Sequence, residues 1–217
     1  VIIHTYHEPL PGVDRGEILE LWAESWRRHG WIPVVHYSAQ ALAHPRALVY
    51  GQIAAALPTV NAPEYELACW RRWLVAAQCG GFWCDDDLVN CGLRPRHALA
   101  QNSGDKPFLA FHAGDMPNTG LLFGGRALFE EFLVNRVCAG LVPVGLHEGR
   151  PHTSDMFLWQ QLHRDGLFED VRDVADDYGK PGDLKLVHCS HGSTAAAGTT
   201  RVEAMRKLVR EKSEARG

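Results

Sequence analysis

Long hydrophobic runs are missing from this 217-residue sequence. No segment approaches the roughly 20 apolar residues of a membrane-spanning helix, and Val1-Ile2-Ile3 is too short for a signal peptide. The chain starts without Met, which leaves room for an upstream segment. A Cys-x-x-Cys pair is also missing among the six cysteines (Cys69, Cys79, Cys84, Cys91, Cys138, Cys189), which argues against a zinc ribbon. Free thiols fit a reducing compartment and hence a cytoplasmic location. Charge of one sign is not in excess: the formal net charge of -4 argues against a broad electrostatic grip on nucleic acid. There is no P-loop, internal repeat or low-complexity segment. What remains, 46% hydrophobic and 22% charged residues, is the balance of a soluble globular enzyme, and the length fits a single domain over 1–217.

Against these absences stands one concentrated feature, Gly80-Gly81-Phe82-Trp83-Cys84-Asp85-Asp86-Asp87. Two glycines end a helical pattern, a short apolar piece follows, and three carboxylates are packed side by side. Three adjacent negative charges repel unless water, a cation or a donor cluster neutralises them. A bare Asp run is commonly a solvated turn. The preceding Phe-Trp-Cys segment instead places these acids at the end of a buried element. In an extended backbone Asp85 and Asp87 project to one side and Asp86 to the other, giving a two-carboxylate claw for a hard divalent ion.

The flanking pattern predicts a strand over 1–6, a helix over 17–29 with Ile18, Leu21, Trp22 and Trp26 at helical spacing, and a strand over 32–37. That order opens a parallel α/β sheet, whose ligands sit beyond the carboxyl ends of the strands. A weaker helix over 47–56 precedes a stronger one over 63–78, with Pro63 in its first turn and Leu67, Trp70, Trp73 and Leu74 on its apolar face. Strands are expected over 107–112 and 118–124, a helix over 125–138, and a Gly/Pro-rich lid or acceptor loop over 140–152. Thr153-Ser154-Asp155 reads as a helix start. After a short strand over 168–174 and a polar turn over 175–183, a strand from Leu184 ends in His188, His191 and the turn Gly192-Ser193. A basic helix closes the chain.

The acids at one strand end and a histidine at a later one make a mixed carboxylate and imidazole set that suits Mn²⁺ (or Mg²⁺), leaving positions for phosphate oxygens. Such an ion neutralises a departing diphosphate, the main electrostatic need in glycosyl transfer from a nucleotide sugar. Arg72 and the turn His191-Gly192-Ser193 offer further donors.

The run from Arg72-Trp73-Leu74 through Gly80-Gly81 to Asp85-Asp86-Asp87 resembles the segment that marks GT-A fold glycosyltransferases with a DXD motif. It is closest to the sugar-binding-region DXD family of mannosyltransferase and capsular polysaccharide transferase relatives. Asn118-Thr119-Gly120, Leu186-Val187-His188 and Ile2-Ile3-His4-Thr5-Tyr6 resemble that family's later and opening strands. The resemblance implies a GT-A (Rossmann-like) mixed, mostly parallel sheet flanked by helices. It implies Asp87 and His188 as metal ligands with Asp85 contacting the ribose or the metal shell. Donor contacts would come from His4, Thr5, Tyr6, Arg72, Asp86, Asn118, His191, Gly192 and Ser193. Asp155 would be the acid near the transferred sugar or the acceptor. Two departures stand out: Cys69 replaces an acid usual three residues before the arginine, and His191 is a second histidine able to take the ligand role of His188.

The expected activity is metal-dependent transfer from a nucleotide sugar, UDP-sugar favoured, to a hydroxyl acceptor, with retention. An inverting enzyme would need a base, for which Asp155, Asp115 and His152 are candidates. The acceptor stays open among a glycan, a protein, a small molecule and a modified nucleic acid base. Two rival classes also use such residues: a metal-dependent nucleotidyltransferase or phosphohydrolase, and a non-catalytic nucleotide-sugar-binding module whose seven Trp residues serve as stacking platforms.

Overall fold

The structure, a computed structural model, describes residues 1–10, 14–111, 120–172, 174–179 and 184–214. Its elements follow in chain order as β1 (Ile2–Tyr6), α1 (Gly16–Arg27), β2 (Ile32–His36), α2 (Ser38–Leu42), α3 (Ala47–Ala56), α4 (Pro63–Cys79), β3 (Gly81–Cys84), β4 (Leu88–Asn90), α5 (Pro95–Leu99), β5 (Phe108–Phe111) and β6 (Leu121–Gly124). Next comes α6 (Arg126–Phe129), which runs through a π-helical turn (Glu130–Val134) into α7 (Asn135–Cys138). The chain then continues through β7 (Gly145–His147), β8 (Arg150–His152), α8 (Asp155–Arg164), β9 (Phe168–Val171), β10 (Ala175–Asp177), β11 (Leu186–His188), α9 (His191–Ala196) and α10 (Arg201–Glu214). No described helix is long and apolar enough to cross a membrane.

Six strands form a mixed sheet in the order β2-β1-β3-β6-β5-β9. β1 pairs in parallel with β2 and β3, β5 pairs in parallel with β9, and β6 runs antiparallel between β3 and β5. The sheet is buried on both faces, as strand periodicity requires when helices cover each side. Along β5, Phe108 and Ala110 enter one core with Trp70, Trp73, Phe129 and Trp159, while Leu109 and Phe111 enter the other with Trp22, Trp26 and Trp31. β3, on the other side of β6, divides in the same way, with Phe82 and Cys84 on the second side and Trp83 on the first. The tryptophans are therefore core residues, and the stacking-platform reading has no support from their placement.

The hinge between α4 and β3 explains the two glycines. Gly80 caps α4 at φ +63° and Gly81 follows at φ +87°, a conformation that L side chains rarely adopt. A Cβ on Gly80 would lie 3.1 Å from the Arg126 backbone nitrogen. The reversal delivers β3 into the sheet centre and leaves Asp85 at its carboxyl end.

Four expectations are corrected. The acids do not continue an extended strand: the Leu88 N–H donates to the Asp85 carbonyl at 3.2 Å, so they sit in a turn between β3 and β4. The 140–152 segment is not a bare loop, because β7 and β8 pair as an antiparallel hairpin. His191-Gly192-Ser193 is not a turn but the first part of α9, where the Ser190 hydroxyl accepts from the Ser193 N–H at 3.1 Å and caps the helix. The segment read as a polar turn also holds β10, which joins β11 and β4 in a small second sheet.

Candidate active site

The second sheet positions the histidine. β11 runs antiparallel to β4 and parallel to β10, and the register sets His188 opposite both Leu88 and Asp177. The turn acid Asp87 is thereby brought to His188: Nε2 lies 3.2 Å from Asp87 Oδ1. On the far side of the ring Nδ1 lies 3.3 Å from Asp177 Oδ1, an ion-pair contact outside hydrogen-bond geometry. One ligand atom each from Asp85, Asp87 and His188 fall within 4.8 Å of one another. A histidine held from behind by a carboxylate, with its other nitrogen aimed at two more acids, is the arrangement that orients an imidazole for a metal ion.

These groups form the floor of a cavity of about 610 Å³. Of the residues expected there, Tyr6, Arg72, Asp85, Asp86, Asp87, His152, Asp155, His188 and His191 line it. His4, Thr5, Gly192 and Ser193 do not: His4 turns under the sheet to stack on Trp83, and Thr5 is fully buried. Asn118 and Asp115 lie outside the described residues.

The three acids have separate partners. Arg72 donates from Nη1 to Asp85, and from Nε and Nη2 to Asp155 Oδ2 at 3.1 and 2.5 Å. Trp73 Nε1 donates to the same Asp155 oxygen at 2.9 Å. With three donors on one oxygen, Asp155 serves as the anchor of Arg72. Burial works against the Arg72 charge, yet Asp155 and Asp85 outweigh it and hold the guanidinium protonated. Asp86 receives Arg15 Nη1 at 2.5 Å, with His7 at 3.9 Å. Burial, reinforced by Asp87 and Asp85, pushes Asp86 up to about 6 against the opposing pull of Arg15. Burial would also raise Asp87, but the His188 hydrogen bond and the charges of His188 and Arg201 bring it below the ordinary range. His188 shows the reciprocal effect: burial would lower it, and Asp177 and Asp87 instead raise it to about 10. Arg201 Nη1 stands 3.4 Å from Asp87 Oδ2. The imidazolium and this guanidinium supply the positive charge that adjacent carboxylates require.

Among the lining residues that the sequence did not point to are Arg15, Glu66, Asp177 and Arg201. Arg15 precedes α1 with no pattern to mark it, and Asp177 lay in a segment read as a turn. Arg201 had a readable signal in Thr200-x-x-Glu203, a capping box in which Glu203 accepts the Thr200 N–H at 3.0 Å and the Thr200 hydroxyl accepts the Glu203 N–H at 3.2 Å. That box fixes the start of α10 and so places Arg201 in its first turn. Glu66 sits one helical turn into α4; its Oε1 accepts from Asn61 Nδ2 at 2.5 Å, while Oε2 is buried without a hydrogen-bond partner.

No protein-family model and no curated protein sequence matches the chain. Among solved structures it is similar to a glycosyltransferase involved in the glycosylation of the major capsid of PBCV-1, at 15% identity and TM-score 0.52, over 95% of this chain and 98% of that one. It is also similar to the apo form of mouse xyloside xylosyltransferase 1, at 9% identity and TM-score 0.56, over 89% of this chain and 99% of that one. At these identities the likeness is one of fold, and it extends over nearly the whole length of both neighbours: the mixed α/β sheet flanked by helices is a fold shared with two glycosyltransferases.

Proposed function

We propose that the protein is a metal-dependent glycosyltransferase that moves a sugar from a nucleotide-sugar donor, UDP-sugar favoured, to a hydroxyl acceptor. The observation that carries this reading is the Asp85, Asp87 and His188 cluster on the cavity floor, backed by Asp177. Its oxygen and imidazole donors fit Mn²⁺ or Mg²⁺, and these three residues would hold the ion. When bound, such an ion neutralises charge on the departing diphosphate. The fold neighbours, both glycosyltransferases, support the reaction class. Six unbridged cysteines support a reducing, cytoplasmic setting.

Arg15, paired with Asp86, and Arg201, beside Asp87, are cations that can meet the donor phosphates. Arg72 orients Asp85 and faces the donor sugar. Retention is favoured because Asp155, with three donors on Oδ2, is committed to holding Arg72. On that route the C1–O bond to the diphosphate breaks, the acceptor oxygen bonds C1 on the same face, and the acceptor proton passes to the leaving diphosphate.

Glu66 favours a second reading, inversion. Burial raises its pKa, its Oε2 has no partner, and it lines the cavity, which together suit a general base. The anomeric configuration of the product, read by NMR, separates the two.

The primary test is a donor-hydrolysis screen across UDP-, GDP- and CMP-sugars with and without Mn²⁺, repeated on Asp87→Ala. Turnover of a UDP-sugar that needs metal and is lost in the variant is expected. Metal-independent turnover would refute the reading, turnover of nucleoside triphosphates or phosphoesters would favour the nucleotidyltransferase class, and Mn²⁺-dependent UDP binding without turnover a binding module. His188→Ala is expected to weaken metal-dependent nucleotide binding more than His191→Ala; the reverse order would move the third ligand to His191.

A further inference from the structure

A second cluster of metal-ligating side chains lies outside the cavity. His4 from the middle of β1, His36 from the end of β2 and Cys79 from the last turn of α4 each place one ligand atom within 4.8 Å of the other two. None of the three lines the cavity of the acidic site. The two imidazoles are buried, with His4 Nδ1 and His36 Nε2 facing each other at 2.8 Å. Both rings stack on Trp83, at centroid separations of 4.9 Å and 5.4 Å, which fixes their planes. Cys79 is only half-buried, and it gives the cluster an opening to solvent.

We propose that His4, His36 and Cys79 form a second metal site, selective for a borderline-soft divalent ion such as Zn²⁺. Two imidazoles and a thiolate are soft enough to prefer Zn²⁺ over the hard ions that suit the carboxylates of the cavity. In a tetrahedral site with bonds of about 2.0–2.3 Å, neighbouring ligand atoms stand about 3.3–3.6 Å apart. His4 Nδ1 and His36 Nε2 must spread slightly from 2.8 Å, and one ligand atom from each of the three residues already lies within 4.8 Å of the other two. Gly81, at φ +87°, keeps the flank of His4 open: a Cβ there would approach His4 Nε2 to 3.4 Å. Three protein ligands leave a fourth position for water. Binding releases the Cys79 thiol proton to solvent, and the proton shared between the imidazoles moves to the outer nitrogen of its own ring. The ion would tie β1, β2 and the end of α4 together immediately before the Gly80-Gly81 reversal. The inference is independent of the proposed reaction.

The test strips the reduced full chain with chelator and titrates it with Co²⁺, then Zn²⁺. One equivalent of Co²⁺ is expected to give tetrahedral d–d bands with a thiolate-to-Co²⁺ charge-transfer band, both lost on adding Zn²⁺. The double variant Asp85→Asn/Asp87→Asn is expected to keep these bands. Cys79→Ser is expected to lose the charge-transfer band. His36→Gln is expected to keep its far-ultraviolet circular dichroism and bind Zn²⁺ at least about 100-fold more weakly, since loss of even an outer-shell partner costs 10–100-fold. Absence of the charge-transfer band in the wild type, its survival in Cys79→Ser, or unchanged Zn²⁺ affinity in a folded His36→Gln would each overturn the proposal.

Discussion

Replacing Arg72 by Met tests whether the centre of the site is held as an ionic network. Methionine keeps much of the aliphatic stem and removes the guanidinium, which donates to Asp85 and twice to Asp155 and also lies 4.7 Å above the Trp73 ring. The two carboxylates do not suffer equally. Asp85 keeps 26% of its side chain exposed and can be rehydrated, whereas Asp155 keeps 2% and is left with Trp73 Nε1 as its strong donor. Removing one partner of a buried pair costs about 3–5 kcal/mol, because the other charge stays buried and uncompensated. Against a total stability of about 5–15 kcal/mol that is a large fraction. With a urea m-value of about 2–3 kcal/mol per M, the midpoint should fall by about 1–2 M at constant m. Adding Asp155→Asn removes the stranded charge, so Arg72→Met/Asp155→Asn should recover a substantial part of the loss, with a coupling energy of about 2 kcal/mol or more. A loss below about 1 kcal/mol in the single variant, or strictly additive losses in the double variant, would refute the account of Asp155 as the buried anchor of Arg72.

Asp177→Asn should weaken Mn²⁺ binding by about 10–100-fold in calorimetric titration while leaving the fold intact, since it removes the charge behind His188; unchanged affinity would remove Asp177 from the site. Glu66→Gln should raise the melting temperature at neutral pH and leave it unchanged near pH 4. The folded pKa of Glu66 lies above its unfolded value, so the unfolded chain loses its proton first as pH rises, and stability present below about 4.5 is lost as pH climbs through the folded pKa; glutamine escapes that loss, and each kcal/mol gained appears as about 2–4 °C. Gly80→Ala should cost about 1–3 kcal/mol through strain at φ +63°, read as a drop in urea midpoint.

The elements legible in the sequence were those with a strong local period. α1 and α4 declare themselves through tryptophan and leucine spacing, and β5 and β6 through short apolar runs. Local spacing also put Arg72 near the acids, because the rest of α4 and one glycine reversal separate it from them, and it contacts Asp85. The rest depended on long-range pairing. β10 carries the polar sequence Ala175-Asp176-Asp177, and its strand identity comes from β11 beside it, not from its own propensity. Arg15 is polar and far in sequence from Asp86, and no periodicity marks an arginine that turns inward. His4 was misplaced for a related reason. A donor contact was expected of it, but the register pairs His4 with Trp83 inside the sheet, and Tyr6, two residues further on, lines the cavity.

The acid run explains why these remote pieces meet where they do. In the assembled fold the three acids take their cations from different parts of the chain. Arg72 comes from α4, Arg15 from the entrance to α1, and His188 and Arg201 from β11 and the start of α10. In the unfolded chain water screens the three charges and no such convergence is needed. Burial alone would raise Asp86 and Asp87, and only the assembled fold returns Asp87 to a charged state able to bind an ion. The site is therefore an outcome of folding, and on the proposed reading an ion at Asp87 would draw its affinity from the same free energy that docks α4, α10 and the small sheet around the turn. On this argument Asp86 is distinct from its neighbours: held by Arg15 and turned away from His188, it fixes the turn from one side so that Asp85 and Asp87 remain available on the other.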